Sequence, residues 1–167
     1  AAYGDTPHAT HALMPDKDFF FTPGGSVVAY TVKGLVALTL GDPIGPPGDA
    51  EAAVAAFDEA ARMRGLQAAF YHVRPERLQV YRDRGFLLLP VGLVARVDLA
   101  AMEAGTRSGR GLRVTCAQGY RDGYQTELHM PPLDESLIAE LRAVSDEWLV
   151  STGGMEKRFS VGWFDEE

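Results

Sequence analysis

Apolar residues follow two rhythms along this chain. Residues 26–32 and 35–40 are β-rich runs separated by Lys33-Gly34, which predicts two strands joined by a short hairpin. From Ala50 the period changes: Ala50, Val54, Phe57 and Ala61 recur at helical spacing, and Gly65 supplies the stop. Residues 67–73 predict another strand. Pro75 suits the first turn of a helix over 76–84, with Leu78 and Tyr81 on one face before Gly85. Residues 86–89 and 93–99 predict a closing pair of strands broken at Pro90-Val91-Gly92.

Hairpin, helix, strand, helix and strand pair is the order of an α/β or α+β sheet with helices on its faces. One compact unit is expected to end near Leu99, followed by a linker punctuated by Gly105, Ser108 and Gly109. A helix over 107–121 would put Arg107, Arg110 and Arg113 on one face, but it has to absorb Gly109, Gly111 and Gly119 at about 1 kcal/mol each. Residues 124–129 can form a strand. Asp134 then begins a periodic helix through Leu137, Ile138, Leu141, Val144, Trp148 and Leu149, ending at Gly153-Gly154. Ahead of all this, Asp16-Lys17-Asp18 precedes Phe19-Phe20-Phe21. Three consecutive aromatics cannot share one face of a strand, so a buried edge or a cap over a groove is expected.

Charge narrows the partners. The net charge is -7, and acid exceeds base in both halves, 12 to 9 over residues 1–104 and 11 to 7 over 105–167. Bulk charge therefore gives no footprint for free nucleic-acid binding; an RNA contact would rest on the local cluster Arg107, Arg110, Arg113 and Arg121. The lone Cys116 excludes an internal disulfide framework and fits a reducing compartment. No apolar run approaches the ~20 residues of a membrane span. His8 and His11 sit in a breaker-rich segment without further ligands, so no metal is expected.

Chemistry concentrates between residues 36 and 51, where a buried strand runs through Gly41-Asp42-Pro43-Ile44-Gly45-Pro46-Pro47-Gly48 into a helix start. Asp49 is the expected N-cap, with Glu51 in the first turn. In α/β proteins such a junction gathers ligands. Tyr81-Arg82-Asp83-Arg84-Gly85-Phe86 resembles the end of the last helix of GNAT acyltransferases, which hold CoA pyrophosphate on backbone N–H groups at this kind of junction. Pro43, Pro46 and Pro47 have no N–H to offer, and Asp42 would set a carboxylate beside the phosphates. The unit reads as GNAT-like without CoA, and no cofactor is expected. Asp42 can hold an ammonium group, such as the α-amine of an aminoacyl substrate, or it can simply form an Asx-type turn before Pro43.

With these segments in place, the chain resembles the cytoplasmic catalytic region of the phosphatidylglycerol lysyltransferase (aminoacyl-phosphatidylglycerol synthase) family. The resemblance is carried by Asp16-Lys17-Asp18-Phe19-Phe20-Phe21, Ala29-Tyr30, Gly41-Asp42-Pro43-Ile44-Gly45, Ala69-Phe70-Tyr71, Tyr81 to Phe86 and Ala95-Arg96-Val97-Asp98-Leu99. It continues through Leu112-Arg113, Leu141-Arg142-Ala143-Val144-Ser145-Asp146-Glu147-Trp148-Leu149 and Glu156-Lys157-Arg158-Phe159-Ser160-Val161-Gly162, in one order over nearly the whole chain. One departure is the helix around Leu112-Arg113, rich in Lys and Arg in the family and rich in Gly here.

The resemblance implies two tandem GNAT-like folds, with residues 1–101 as the first and 102–167 as a linker and the start of a second that stops before its central strands. On that expectation the substrate cleft is left open, and the 167-residue piece need not itself be active. It implies transfer of an aminoacyl group from charged tRNA to phosphatidylglycerol at the cytoplasmic face of the cell membrane, with membrane helices in a parent segment before the chain. Asp42 or Glu156 would hold the amine, Lys157 or Arg113 would contact tRNA phosphate, and Tyr71 or Ser160 would line the cleft beside Gly41 and Gly45. For each there is a plainer role: Tyr71 as core, Lys157 and Arg113 as solvated charges, Ser160 as a loop hydroxyl. Two rivals stand beside this reading. One is a CoA-dependent GNAT acetyltransferase. The other is a non-catalytic GNAT-like scaffold half, for which an apolar face along Trp148, Phe159 and Trp163 would support a homodimer.

Overall fold

The hairpin forms where the alternation predicts it. A computed structural model describes residues 3, 4, 6, 9–100, 107–156, 158–161, 163 and 164. Strands β1 (Asp18–Phe21), β2 (Val27–Lys33), β3 (Val36–Leu40) and β4 (Gln67–Tyr71) form one sheet in the order β1-β2-β3-β4. The first three are antiparallel neighbours, and β3 and β4 run parallel. Gly34 makes the β2–β3 turn at φ 59°, a left-handed value glycine adopts without steric cost.

Register decides which side chains become core. Tyr30 lies opposite Thr39 and Thr39 opposite Phe70, while Phe20 lies opposite Val28. These residues therefore share one face. Helix α1 (Ala50–Met63) covers it, with Ala53, Val54, Phe57 and Ala61 buried. Phe57 is the central contact: its ring meets Phe20, Tyr30 and Phe70 edge-on at centroid distances of 5.6, 5.1 and 5.8 Å. The three phenylalanines of β1 divide as alternation requires. Phe20 joins the core, whereas Phe19 and Phe21 remain 44% and 74% exposed, so the aromatic run is an open edge rather than a buried one.

After β4 comes a 3-10 turn, Pro75–Arg77, and then the short helix α2 (Leu78–Asp83). Tyr81 of α2 is 1% exposed and stacks against Phe70 and Phe86, and Gly85 turns the chain away at φ 80°. Two longer helices follow, α3 (Arg107–Arg121) and α4 (Glu135–Thr152). The chain divides into two compact units, Ala1–Leu89 with Arg142–Glu167, and Pro90–Leu141.

Three expectations are corrected. Residues 86–89 and 93–99 do not pair as strands; among the described residues no ladder partner meets them, and Leu87, Leu93 and Leu99 stand 83%, 102% and 70% exposed. Residues 124–129 are likewise outside any strand. Asp49 does not cap α1: its own backbone is helical as the last residue of the turn Pro47–Asp49, and its carboxylate accepts instead from Thr22 Oγ1 at 2.8 Å. Helix α3 forms despite its glycines, and side-chain bonds along it link Gln118 to Asp122 and Arg121 to Gln118, both at 2.7 Å.

Candidate functional site

β3 and β4 end side by side, and the chain leaves both strands at the same level. Leu40 pairs with Tyr71, and the Gly41 N–H then donates to the Tyr71 carbonyl at 2.7 Å with Gly41 at φ 77°. The next residues fold back onto the start of β2: Ile44 and Val27 exchange backbone bonds of 2.8 and 2.9 Å. Gly45 is pressed against Ser26. A Cβ there would lie 2.6 Å from the Ser26 Cα and 2.2 Å from its Oγ. Gly45→Ala is accordingly expected to destabilise the fold by about 1–3 kcal/mol, read by urea unfolding, because backbone rather than a flexible side chain must yield.

These contacts settle what the loop offers a ligand. The N–H groups of Gly41 and Ile44 are consumed within the fold, and Pro43, Pro46 and Pro47 have none. The donors a pyrophosphate would draw on are thus interrupted along the loop, and the CoA reading is not favoured.

Asp42, whose side chain is 5% exposed, is held from two directions. Its Oδ2 accepts from the Arg74 backbone N–H at 3.0 Å and from Arg74 Nε at 3.2 Å; its Oδ1 accepts from the Tyr81 hydroxyl at 2.8 Å. The carboxylate thus ties the strand-end loop to the turn before α2 and to α2 itself. Burial, followed by the Asp42 carboxylate, pushes the Tyr81 phenol far above its ordinary value, so it stays a hydrogen-bond donor throughout the physiological range.

A cavity of about 230 Å³ opens beside this network. Gly41, Asp42 and Gly45 line it, together with His72, Arg74 and Arg77. His72 has φ 63°, a left-handed value that a non-glycine residue adopts only when its neighbours over-determine it. Bonds on both flanks do so, from Gly41 to Tyr71 and from Arg74 to Asp42.

Tyr71 is not among the residues lining this cavity. Its ring lies 4.3 Å from that of His72 and 6.2 Å from that of Phe159. Around Phe159 sits a second constellation: its N–H donates to Asp16 Oδ2 at 2.9 Å, Asp16 pairs with the buried Lys17, and Lys17 Nζ stands 5.0 Å from the centre of the Phe159 ring. Phe159, at φ 77°, is the other non-glycine left-handed residue among those described. Glu156 and Ser160 flank it, both half-buried; Glu156 Oε1 accepts from the Phe164 N–H at 3.2 Å. Arg113 lies on α3 in the other unit, and Lys157 falls outside the described residues.

The sequence reading missed His72, Arg74, Arg77 and the pairing of Tyr81 with Asp42. Only Arg74-Pro75 carried a signal, as a charged residue fixed in extended backbone just before a helix. Partners 32 and 39 positions from Asp42 leave no local mark.

The fold is that of a mixed α/β domain with a cavity at the carboxyl ends of two parallel strands. The family model described as "Phosphatidylglycerol lysyltransferase, C-terminal" matches residues 1–167, and the chain belongs to that family. Phosphatidylglycerol lysyltransferases of Staphylococcus xylosus and Bacillus subtilis (strain 168) are each 32% identical to it, over 90% and 92% of this chain but 18% of their own length. Among solved structures, that of L-PGS from Bacillus licheniformis superposes with a TM-score of 0.85 at 31% identity, covering 99% of this chain and 52% of that one. A crystal structure of a DUF2156 C-terminal domain from Agrobacterium fabrum reaches 0.87 at 34% identity, covering 96% and 51%. The chain thus spans under a fifth of these curated relatives and about half of these solved chains.

Proposed function

We propose that this chain is part of an enzyme that transfers an aminoacyl group from charged tRNA to a glycerol hydroxyl of phosphatidylglycerol. The observation that carries the reading is the family match over the full chain, from the β1 aromatics through the Asp42 loop to the Glu156–Ser160 segment. In this reading residues 1–101 form the first of two GNAT-like folds and 102–167 open the second. The parent works at the cytoplasmic face of the cell membrane, anchored by a segment outside these residues. No helix among the described residues is long and apolar enough to cross a membrane.

The chemistry needs no covalent enzyme intermediate. The lipid hydroxyl attacks the aminoacyl ester carbonyl and gives up its proton, the new ester bond forms, and the ribose oxygen of the tRNA leaves and is protonated. The protein's task is positioning and charge. Glu156 takes the substrate amine, beside Ser160 and Tyr71. Arg113 and Lys157 take tRNA phosphate. Asp42, already bonded by Arg74 and Tyr81, acts as a positioning residue that keeps the cleft in shape. The scaffold alternative draws on Trp148, which is 61% exposed, and would show as a homodimer without transfer.

In the full-length parent, Glu156→Gln is expected to lower transfer from charged tRNA to phosphatidylglycerol roughly 10- to 100-fold, the value of one charge-assisted bond. The assay follows radiolabelled amino acid into lipid. Unchanged turnover would remove the Glu156 assignment. Equal labelling from free amino acid and ATP without tRNA would remove the donor.

A further inference from the structure

Among the described residues that line the cavity at the ends of β3 and β4, arginines outnumber carboxylates, which reverses what Asp42 alone suggests. Among the described residues that line it Asp42 is the only acid, and that charge is met by Arg74 through two N–H groups and by the Tyr81 hydroxyl. Arg74 is thereby fixed in the cavity wall, its side chain 26% exposed. Arg77 adds a second guanidinium three residues on, carried by the rigid Pro75–Arg77 turn, and the strained His72 backbone turns that residue to the same wall. Among the described lining residues Arg74 and Arg77 stand against the single carboxylate of Asp42. A planar guanidinium suits tetrahedral oxyanions well.

Size and surroundings narrow the anion. About 230 Å³ holds more than a bare phosphate, and Tyr3 and Thr6 are also among the lining residues. A pyrophosphate would need the backbone donors that Gly41 and Ile44 have already spent. An RNA backbone would need a run of surface cations, whereas this site is a recess in a chain of net charge -7. We propose that the cavity is an anion subsite for the phosphodiester of a glycerophospholipid headgroup, with Arg77 and the Asp42-fixed Arg74 as its cations. The proposal rests on the lipid-acceptor reading above and adds to it where the acceptor's phosphate is held.

The test uses the chain as it stands, with water-soluble glycerophosphoglycerol as probe in calorimetry and vesicles of phosphatidylglycerol or phosphatidylcholine in cosedimentation. Glycerophosphoglycerol is expected to bind, about 10-fold more weakly to Arg77→Gln and not detectably to Arg77→Glu. Arg77→Lys keeps most of the affinity and guards against a folding artefact. Phosphatidylglycerol vesicles are expected to retain the chain in the same order of variants, phosphatidylcholine vesicles far less. Equal affinity in the wild type and Arg77→Gln, or no binding to either headgroup form, overturns the site. Inorganic phosphate binding as tightly as glycerophosphoglycerol makes it a free-phosphate site, and a short RNA that binds and is lost with Arg77→Gln makes it a nucleic-acid site; either overturns the headgroup assignment. Lipid aminoacylation by the full-length parent separates the two readings. If transfer persists unchanged in Arg77→Gln, the subsite fails while the proposed function stands; if no transfer occurs yet the headgroup binds through Arg77, the function fails and the subsite stands.

Discussion

Phe57→Ala is expected to lower the unfolding free energy by about 3–5 kcal/mol, the largest single effect in the molecule. Phe57 is 2% exposed and is the one ring on α1 that touches three strands at once, through Phe20 on β1, Tyr30 on β2 and Phe70 on β4. Removing it takes away the transfer free energy of a large side chain and three edge-on ring contacts, and the sheet cannot collapse into the gap because its strands are fixed by their ladders. Phe57→Leu keeps most of the volume and should cost under about 1.5 kcal/mol. Urea unfolding followed by tryptophan-independent far-UV dichroism reads both. A loss below about 1 kcal/mol for the alanine variant would mean that α1 is not the lid of the core. The consequence reaches the site, because α1 follows directly on Asp49, whose bond to Thr22 holds the turn that leads into Ser26 and so backs Gly45.

What could be read from sequence was whatever local periodicity and turn chemistry decide. The β2–β3 hairpin, the core face of α1, its stop at Gly65 and the strand–loop–helix around Asp42 all follow from residues within a few positions of one another. The phenylalanine run was read correctly as two-faced, but which face stayed open depended on β1 being the sheet edge, which is a property of topology. Residues 86–99 failed for a related reason. Their composition suits strands, yet a strand exists only when another backbone meets it, and nothing local reports a partner. Asp49 failed because two good local roles competed, cap and tertiary acceptor, and Thr22 won from 27 positions away. At the candidate site the loop was legible and the partners of its carboxylate were not. The Asp42 carboxylate suggested an ammonium ligand, whereas its partners Arg74 and Tyr81 stand 32 and 39 positions away and leave no local mark.

Asp42→Ala should destabilise the fold by about 2–4 kcal/mol, second only to the loss of Phe57. The substitution leaves a buried tyrosine hydroxyl without its acceptor, with that group's desolvation penalty, and removes the carboxylate oxygen that takes two Arg74 N–H groups. Asp42→Asn keeps one acceptor oxygen for Tyr81 but sets an amide NH2 against the two Arg74 donors, so most of that loss is expected. Tyr81→Phe keeps the ring against Phe70 and Phe86 and should cost about 1–2 kcal/mol. The double variant Asp42→Ala/Tyr81→Phe should then lie about 1 kcal/mol or more short of the sum, since both changes break one bond. The same cycle, run on transfer by the full-length parent, separates positioning from chemistry. A residue that grips the substrate amine would lose activity in Asp42→Asn while Tyr81→Phe, which touches no substrate, stayed active. A positioning residue gives the opposite pattern: Tyr81→Phe and Asp42→Asn lose activity together and in proportion to stability, because both act by releasing Arg74 and the loop from the cavity wall.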